Sequence, residues 1–293
     1  MAPTRRTIVA GLALAAPTLA ARAEDRFAAA AGRIATVEAR LGGRVGVAFR
    51  DSSGVFLGYR ADAAFPMCST FKVLAAGAIL ARVAAGTESL DRRIAYGAAE
   101  LQSYAPVTRA ALERAGSERT DLTVDALCAA SIVWSDNTAA NLLLDALGGP
   151  AALTAWLRGQ GDAVTRLDRT EPTLNTALPG DPRDTTSPAA ITATLERCLL
   201  GDALAPAHRA RLEGWMVACE TGQAKLRAGL PPSWSVGDKT GSGDNATSNV
   251  VAILHPPGRA PILAGIFMTG SQAPPPARDA AQAEIGRILV ETL

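Results

Sequence analysis

Apolar positions recur at helical spacing from Arg26 to Leu41 and stop at Gly42-Gly43, which predicts a first helix closed by a glycine pair. Two strand-like runs follow, Arg44–Phe49 and Val55–Tyr59, with turn residues Asp51-Ser52-Ser53-Gly54 between them. From Met67 to about Ala218 the pattern is almost entirely helical. It predicts helices over Thr70–Ala85, Thr123–Trp134 and the strongly apolar Thr138–Leu147, which Gly148-Gly149 ends. Pro150 opens a further helix in the first-turn position that proline favours. Strand patterning returns at Trp234–Val236, Ser248–Leu254 and Ile262–Thr269, before a closing helix near Arg278–Thr292. Strands at both ends and helices between them predict an α+β fold. An antiparallel sheet flanked by helices is built from both termini, and an all-helical domain is inserted into it. The division reads as 24–66 with 222–293 for the sheet domain and 67–221 for the helical one. Functional sites favour such boundaries.

The N-terminus reads as an export signal over residues 1–23. Thr4-Arg5-Arg6-Thr7 gives the positive region, Ile8 to Ala16 is an apolar run too short to span a bilayer, and Ala21-Arg22-Ala23 is an A-x-A-like cleavage site. The twin arginine followed by Ile8-Val9 resembles a twin-arginine leader, with the general secretory route as the alternative. Cleavage removes three cations and no acid, taking the formal charge from +1 to −2. No later segment is apolar for long enough to span a membrane, so the expected product is periplasmic or secreted and free of the membrane after cleavage.

A near-balanced charge, 29 basic against 28 acidic residues, argues against a nucleic-acid partner. The four cysteines form no C-x-x-C pair, and His208 and His255 stand at no metal-ligand spacing, so no metal or other cofactor is expected. The cations are unevenly split: 26 are Arg and only three are Lys, at positions 72, 225 and 239. An amine can be deprotonated by its surroundings where a guanidinium cannot, so the lysines mark where to look for chemistry. Codon bias with three survivors is the plainer alternative.

Ser69-Thr70-Phe71-Lys72 places a hydroxyl and an amine three residues apart at the start of a helix, on one face. A serine needs an adjacent base to become a nucleophile, and a crowded lysine can serve as one. Alone, the motif also fits a capping serine and a surface lysine. Ser135-Asp136-Asn137 lies between two helices and equally suits a helix cap. Lys239-Thr240-Gly241 ends a strand-like run from Trp234 to Asp238, where a glycine lets a ligand approach the backbone or simply makes a turn.

In this order, the three motifs make the chain resemble the class A serine β-lactamases over essentially its whole mature length. The segment Arg169-Thr170-Glu171-Pro172-Thr173-Leu174-Asn175, continuing to Asp181-Pro182-Arg183-Asp184-Thr185-Thr186, is similar to the family's omega loop. The resemblance implies that Ser69 attacks the lactam carbonyl and that Lys72, or Glu171 through a water, takes its proton. Ser135 relays a proton to the lactam nitrogen, and Lys239 with Thr240 draws the substrate carboxylate. The backbone N–H groups of Ser69 and Ser242 form an oxyanion hole beside Gly241. Asn137 holds the substrate's side-chain amide and Tyr104 walls the entrance. Glu171 and Asn175 hold the deacylating water; Arg169 and Asp184 pair across the loop's neck, with the bond before Pro172 cis. The implied activity is hydrolysis of penicillins and cephalosporins by a monomer that uses a small-molecule substrate. The rival readings are a penicillin-binding D-Ala-D-Ala peptidase and a β-lactam sensor that stays acylated. Glu171 with Asn175 favours turnover over both.

Several positions depart from the family pattern. Many members place an arginine where Ser248 stands; other relatives place one where this chain has Lys225, which becomes the candidate cation for the substrate carboxylate, with Arg278 next. Cys68 resembles that of the carbapenem-hydrolysing members, but Gly243 occupies the position of its partner, so that disulfide is not expected. Cys128, Cys198 and Cys219 read as buried thiols. Ala110–Asp121 reads as an enlarged surface loop.

Overall fold

The structure, a computed structural model, describes residues 19–293. Of the expected export signal, the twin arginine and the apolar run lie outside the described residues, and the expected cleavage point after Ala23 falls within the first two turns of the first helix, α1 (Leu19–Leu41). Gly42 and Gly43 end α1 at positive φ, 66° and 80°, the conformation glycine adopts without a β-carbon clash. The chain then forms β1 (Arg44–Asp51), β2 (Phe56–Tyr59) and the two-residue β3 (Phe65–Pro66). A 3-10 turn over Cys68–Thr70 leads into α2 (Phe71–Ala84), whose residues 71–80 are all buried.

Beyond α2 come β4 (Arg93–Gly97), α3 (Pro106–Ala115), β5 (Arg119–Thr123), α4 (Val124–Val133), α5 (Asn137–Leu147) and α6 (Pro150–Gly159). Thr123 caps α4 by accepting from Ala126 N, and Asp136 caps α5 by accepting from Ala139 N. The middle of the chain is thus not wholly helical: β4 and β5 pair as an antiparallel ribbon. The expected surface loop over Ala110–Asp121 is instead the second half of α3, a turn and the start of β5. Its exposed, polar residues hid that order, because little apolar surface there carries a period.

A long irregular segment, with β6 (Thr185–Thr186) pairing to β3, precedes α7 (Pro188–Leu199) and α8 (Pro206–Val217). The chain closes with β7 (Ser235–Gly243), β8 (Thr247–His255), β9 (Ile262–Thr269) and α9 (Pro275–Thr292). The main sheet is antiparallel throughout, in the order β2-β1-β9-β8-β7. Both of its faces are covered, so β8 and β9 are buried along almost their whole length. Period-two alternation sorts their side chains. Val250, Ala252, Leu254, Ile262, Ala264 and Ile266 join the core beneath α1 and α9, while Val251, Ile253, Leu263 and Phe267 join the core shared with α2, α4, α5 and α7. Glu38 fastens α1 to the sheet by accepting from Val45 N (2.8 Å), the Tyr59 hydroxyl (3.0 Å) and Arg60. The outer strand β7 runs past the start of α2, and that junction holds the cleft.

Candidate active site

The start of α2 sets the first pair of groups. Cys68 has a positive φ of 46°, a sparsely populated conformation for a residue with a β-carbon. It turns the chain so that Ser69 enters the cleft while Lys72, three residues on, lies fully buried behind it. Ser69 Oγ donates to Glu171 Oε1 at 2.9 Å. Lys72 Nζ is 3.0 Å from the same oxygen and donates to Ser135 O (2.8 Å) and Asn137 Oδ1 (2.6 Å). Its three N–H bonds therefore all have close oxygen acceptors, with Ser135 Oγ at 3.3 Å a fourth, longer one. Burial pulls the Lys72 amine below the ordinary lysine range, and the Glu171 charge beside it opposes that pull.

Ser135 also stands at positive φ, 60°, between α4 and α5. The cap holds it there. Asp136 is fully buried, and its carboxylate accepts from Ala139 N (2.9 Å), Val107 N (2.9 Å), and the N (2.9 Å) and Oγ1 (3.0 Å) of Thr108, joining α5 to α3. Asp136 therefore serves as the helix cap, while its neighbours Ser135 and Asn137 line the cleft. Ser135 Oγ accepts from Lys239 Nζ at 3.0 Å and lies 3.3 Å from Lys72 Nζ. Lys239 is fully buried, and its amine also donates to Thr240 O (2.7 Å). Burial, together with the Lys72 charge, pulls Lys239 down to about 7.

Lys239-Thr240-Gly241 does not end its strand, as the sequence predicted. It occupies the middle of β7, paired to Val251, Val250 and Asn249. Gly241 is required there by close approach, since a β-carbon would lie 2.7 Å from Met67 O and 3.2 Å from Ser69 N. A β-carbon at Gly243 would lie 2.6 Å from Cys68 Sγ, so the two positions do face each other, and all four cysteines are free and buried.

The irregular segment before β6 closes the site from the other side. Arg169 Nε donates to Asp184 Oδ2 (2.6 Å), and Asp184 Oδ1 accepts from Asp168 N (2.7 Å) and Arg169 N (2.9 Å), which pinches the loop at its neck. The Glu171–Pro172 bond is cis. Asn175 Nδ2 donates to Glu171 Oε2, while Asn175 Oδ1 is buried with no protein partner. The side-chain amide of Asn141, on the face of α5 one turn beyond Asn137, donates to Glu171 O and accepts from Glu171 N, each at 2.9 Å. The sequence carries a signal for it: two asparagines four apart on a largely apolar helix.

These groups border a cleft of about 300 Å³. Ser69, Ser135, Asn137 and Asn175 line it with the half-exposed Tyr104; Thr221, Lys225, Thr240 and Ser242 line the remainder. Lys225 is present in the cleft but not free. Its amine pairs with Asp279 on α9 and donates to Ser248 Oγ at 2.8 Å. Arg278 turns away from this pair, donating to Ala273 O. Asp279 and Thr221 were not anticipated from the sequence, and His255 contacts only the surface residue Glu213 among the described hydrogen bonds. A serine hydroxyl against a carboxylate, two buried amines converging on a second hydroxyl, and a wall of N–H and O–H donors can open an amide through a covalent ester.

Comparisons with known proteins agree with that chemistry. Residues 29–293 match the family model described as the β-lactamase enzyme family. The chain is 45% identical to β-lactamase AST-1 of Nocardia asteroides, over 100% of this chain and 96% of that protein. It is also 45% identical to β-lactamase L2 of Stenotrophomonas maltophilia, over 94% of this chain and 89% of that one. Among solved structures it resembles an ancestral (GNCA) class A β-lactamase, with a TM-score of 0.87 and 57% identity over 90% of this chain and 100% of the other. A putative class A β-lactamase, PenP from Rhodopseudomonas palustris, also gives a TM-score of 0.87, at 48% identity over 90% of this chain and 100% of the other.

Proposed function

The chain belongs to the β-lactamase enzyme family and is a class A serine β-lactamase that hydrolyses β-lactams, and from that premise we propose which residues carry the reaction. The observation that carries the assignment is the direct 2.9 Å hydrogen bond from Ser69 Oγ to Glu171 Oε1. Ser69 is the nucleophile, and Glu171 takes its proton as the Oγ–carbonyl carbon bond forms. Lys72, with its N–H bonds all engaged by oxygens, supplies positive charge beside that carboxylate and does not take the proton directly from Ser69. The lactam C–N bond then breaks, and Ser135, bracketed by the amines of Lys72 and Lys239, delivers a proton to the departing nitrogen; Lys72 passes one of its protons to Ser135 Oγ and takes in exchange the one held by Glu171, which restores the hydroxyl and the carboxylate. The N–H groups of Ser69 and Ser242 hold the carbonyl oxygen as it gains charge, worth roughly 3–4 kcal/mol per donor.

In the second half, Glu171 removes a proton from the water that attacks the ester and returns it to Ser69 Oγ as the ester bond breaks. The orphaned Asn175 Oδ1 supports a water position there, because a buried acceptor without a partner is costly. Asn137 gives its carbonyl to Lys72, which leaves its N–H₂ for the substrate's side-chain amide. Tyr104 borders the entrance. Lys239, Thr240, Ser242 and Lys225 receive the carboxylate of penicillins and cephalosporins. Arg169, Pro172 and Asp184 shape the loop that presents Glu171, and Gly241 lets β7 reach the nucleophile. The cleft joins residues 67–221 to the sheet region of 24–66 and 222–293, which we read as an inserted domain and its host. We read the enzyme as a monomer that is exported by residues 1–23 and acts outside the cytoplasm on a small molecule, with no nucleic-acid or membrane partner.

Intact-mass spectrometry after mixing with a penicillin tests the assignment. Glu171→Gln should acylate more slowly than the native enzyme and deacylate slower still, about 10²- to 10⁴-fold below native turnover, so that one adduct accumulates. Ser69→Ala should show no adduct. Native turnover in Glu171→Gln, or an adduct persisting in Ser69→Ala, refutes it.

A further inference from the structure

Thr221 follows α8 in a turn that nothing in the reaction assigned above requires. Its hydroxyl oxygen lies 2.6 Å from Thr240 Oγ1 and 3.3 Å from Cys219 Sγ. The turn is held firmly. Glu220 N donates to Val133 O (3.0 Å), Lys225 N donates to Gly222 O (3.0 Å), and Gly222 packs so tightly that a β-carbon would sit 1.7 Å from Asp238 Oδ2. Thr221 therefore stands at a fixed place against β7, at the end of the cleft that holds Thr240, Ser242 and Lys225.

Two hydroxyls at this distance share one hydrogen bond, so one donates and the other accepts. If Thr240 donated to Thr221, its proton would be spent, and an anionic substrate would meet lone pairs. If Thr221 donates, the Thr240 proton stays available to the substrate. The surroundings decide the direction. The only other neighbour of the Thr221 hydroxyl among the described contacts is sulfur, a weak acceptor, so the Thr221 proton goes to the Thr240 oxygen. Burial pushes the Cys219 thiol up, which keeps its proton in place to donate toward Thr221. The chain of donors then runs one way, from Cys219 to Thr221 to Thr240 to the cleft.

We propose that Thr221 is a positioning residue that turns the Thr240 hydroxyl so that its proton faces the carboxylate of the β-lactam. The inference rests on the reading of Thr240 as a carboxylate-binding group. It is tested by steady-state kinetics of Thr221→Val, Thr221→Ser, Thr240→Val and the Thr221→Val/Thr240→Val double variant. Each is assayed with one cephalosporin and with its methyl ester, which lacks the negative charge. Thr221→Val should lose roughly 5- to 10-fold in kcat/KM for the free acid, mainly through KM. It should lose little for the ester. Thr221→Ser should recover most of the loss, and the double variant should be no worse than Thr240→Val alone, because the two act through one hydrogen bond. An impaired Thr240→Val beside a native Thr221→Val overturns this inference and leaves the carboxylate reading standing. So does an equal loss on acid and ester. A native Thr240→Val overturns both.

Discussion

Lys225 shares its charge before any substrate arrives, lying between Asp279 on α9 and Ser248 Oγ on β8. A substrate carboxylate at this end of the cleft competes with Asp279 for it. Lys225→Ala should therefore lower kcat/KM by about 10-fold, the small end of the range for a lost charge-assisted hydrogen bond. Lys225→Arg should keep most activity, since a planar fork can serve Asp279 and the substrate together. Steady-state kinetics with one penicillin and one cephalosporin checks both, and a native kcat/KM in Lys225→Ala moves the carboxylate partner elsewhere. The contrast between Lys225 and its partners shows what the sequence could convey at this scale. Ser69 and Lys72 were legible because a helix fixes the relation of residues three apart. Lys225 stands out as one of three lysines and, through the resemblance, as the residue where relatives place an arginine. Asp279 and Thr221 left no local trace, because each acts on a residue 54 or 19 positions away, brought near by the fold.

β7 was read from sequence as a short strand with a motif at its end, yet it continues through Gly243. Residues 238–243 are polar or glycine, a composition that strands elsewhere avoid. They form a strand because β8 pairs with them residue by residue and the other edge faces the start of α2. The β4–β5 ribbon is illegible for a related reason: β5 is mostly polar and partly exposed, and β4 is only five residues long, too short to show a period. In β8 and β9, by contrast, the apolar runs marked the strands closely, since burial on both faces demands them. The approach of β7 to Ser69 gives a prediction at this scale. Gly241→Ala should force the strand away from Met67 O and Ser69 N, costing ~1–3 kcal/mol of stability as overpacking does. Thermal melting should show a lowered Tm, and kcat/KM should fall with it because Ser242 N moves with the strand. An unchanged Tm and unchanged kinetics would mean that β7 can shift freely.

Across the whole molecule the four cysteines are buried and unpaired, with burial pushing Cys198 up to about 12 and Cys68, Cys128 and Cys219 upward as well. Activity and Tm should accordingly be the same with and without a thiol reductant, and a large drop in either would reveal a bridge. Stability should carry the signature of Lys239. The folded protein holds that proton only to about 7, whereas the unfolded chain holds it to the ordinary value of 10.5. Between those values the unfolded state binds more protons, so this residue makes stability rise with pH. Lys239→Met should be relatively most stabilised below pH 7, with its Tm advantage over the native enzyme shrinking toward pH 10; a constant gap would contradict the depressed amine. One feature of the sheet bears on how the protein comes into being. β1 pairs along its whole length with β9, Arg44 opposite Thr269, so most of the chain separates the two partners. The order of synthesis is thus not the order of assembly. A chain still growing presents one edge of β1 unpaired, open to association with other chains, until β9 emerges. The arrival of β9, rather than completion of the helices that precede it, is the earliest moment at which the main sheet can close.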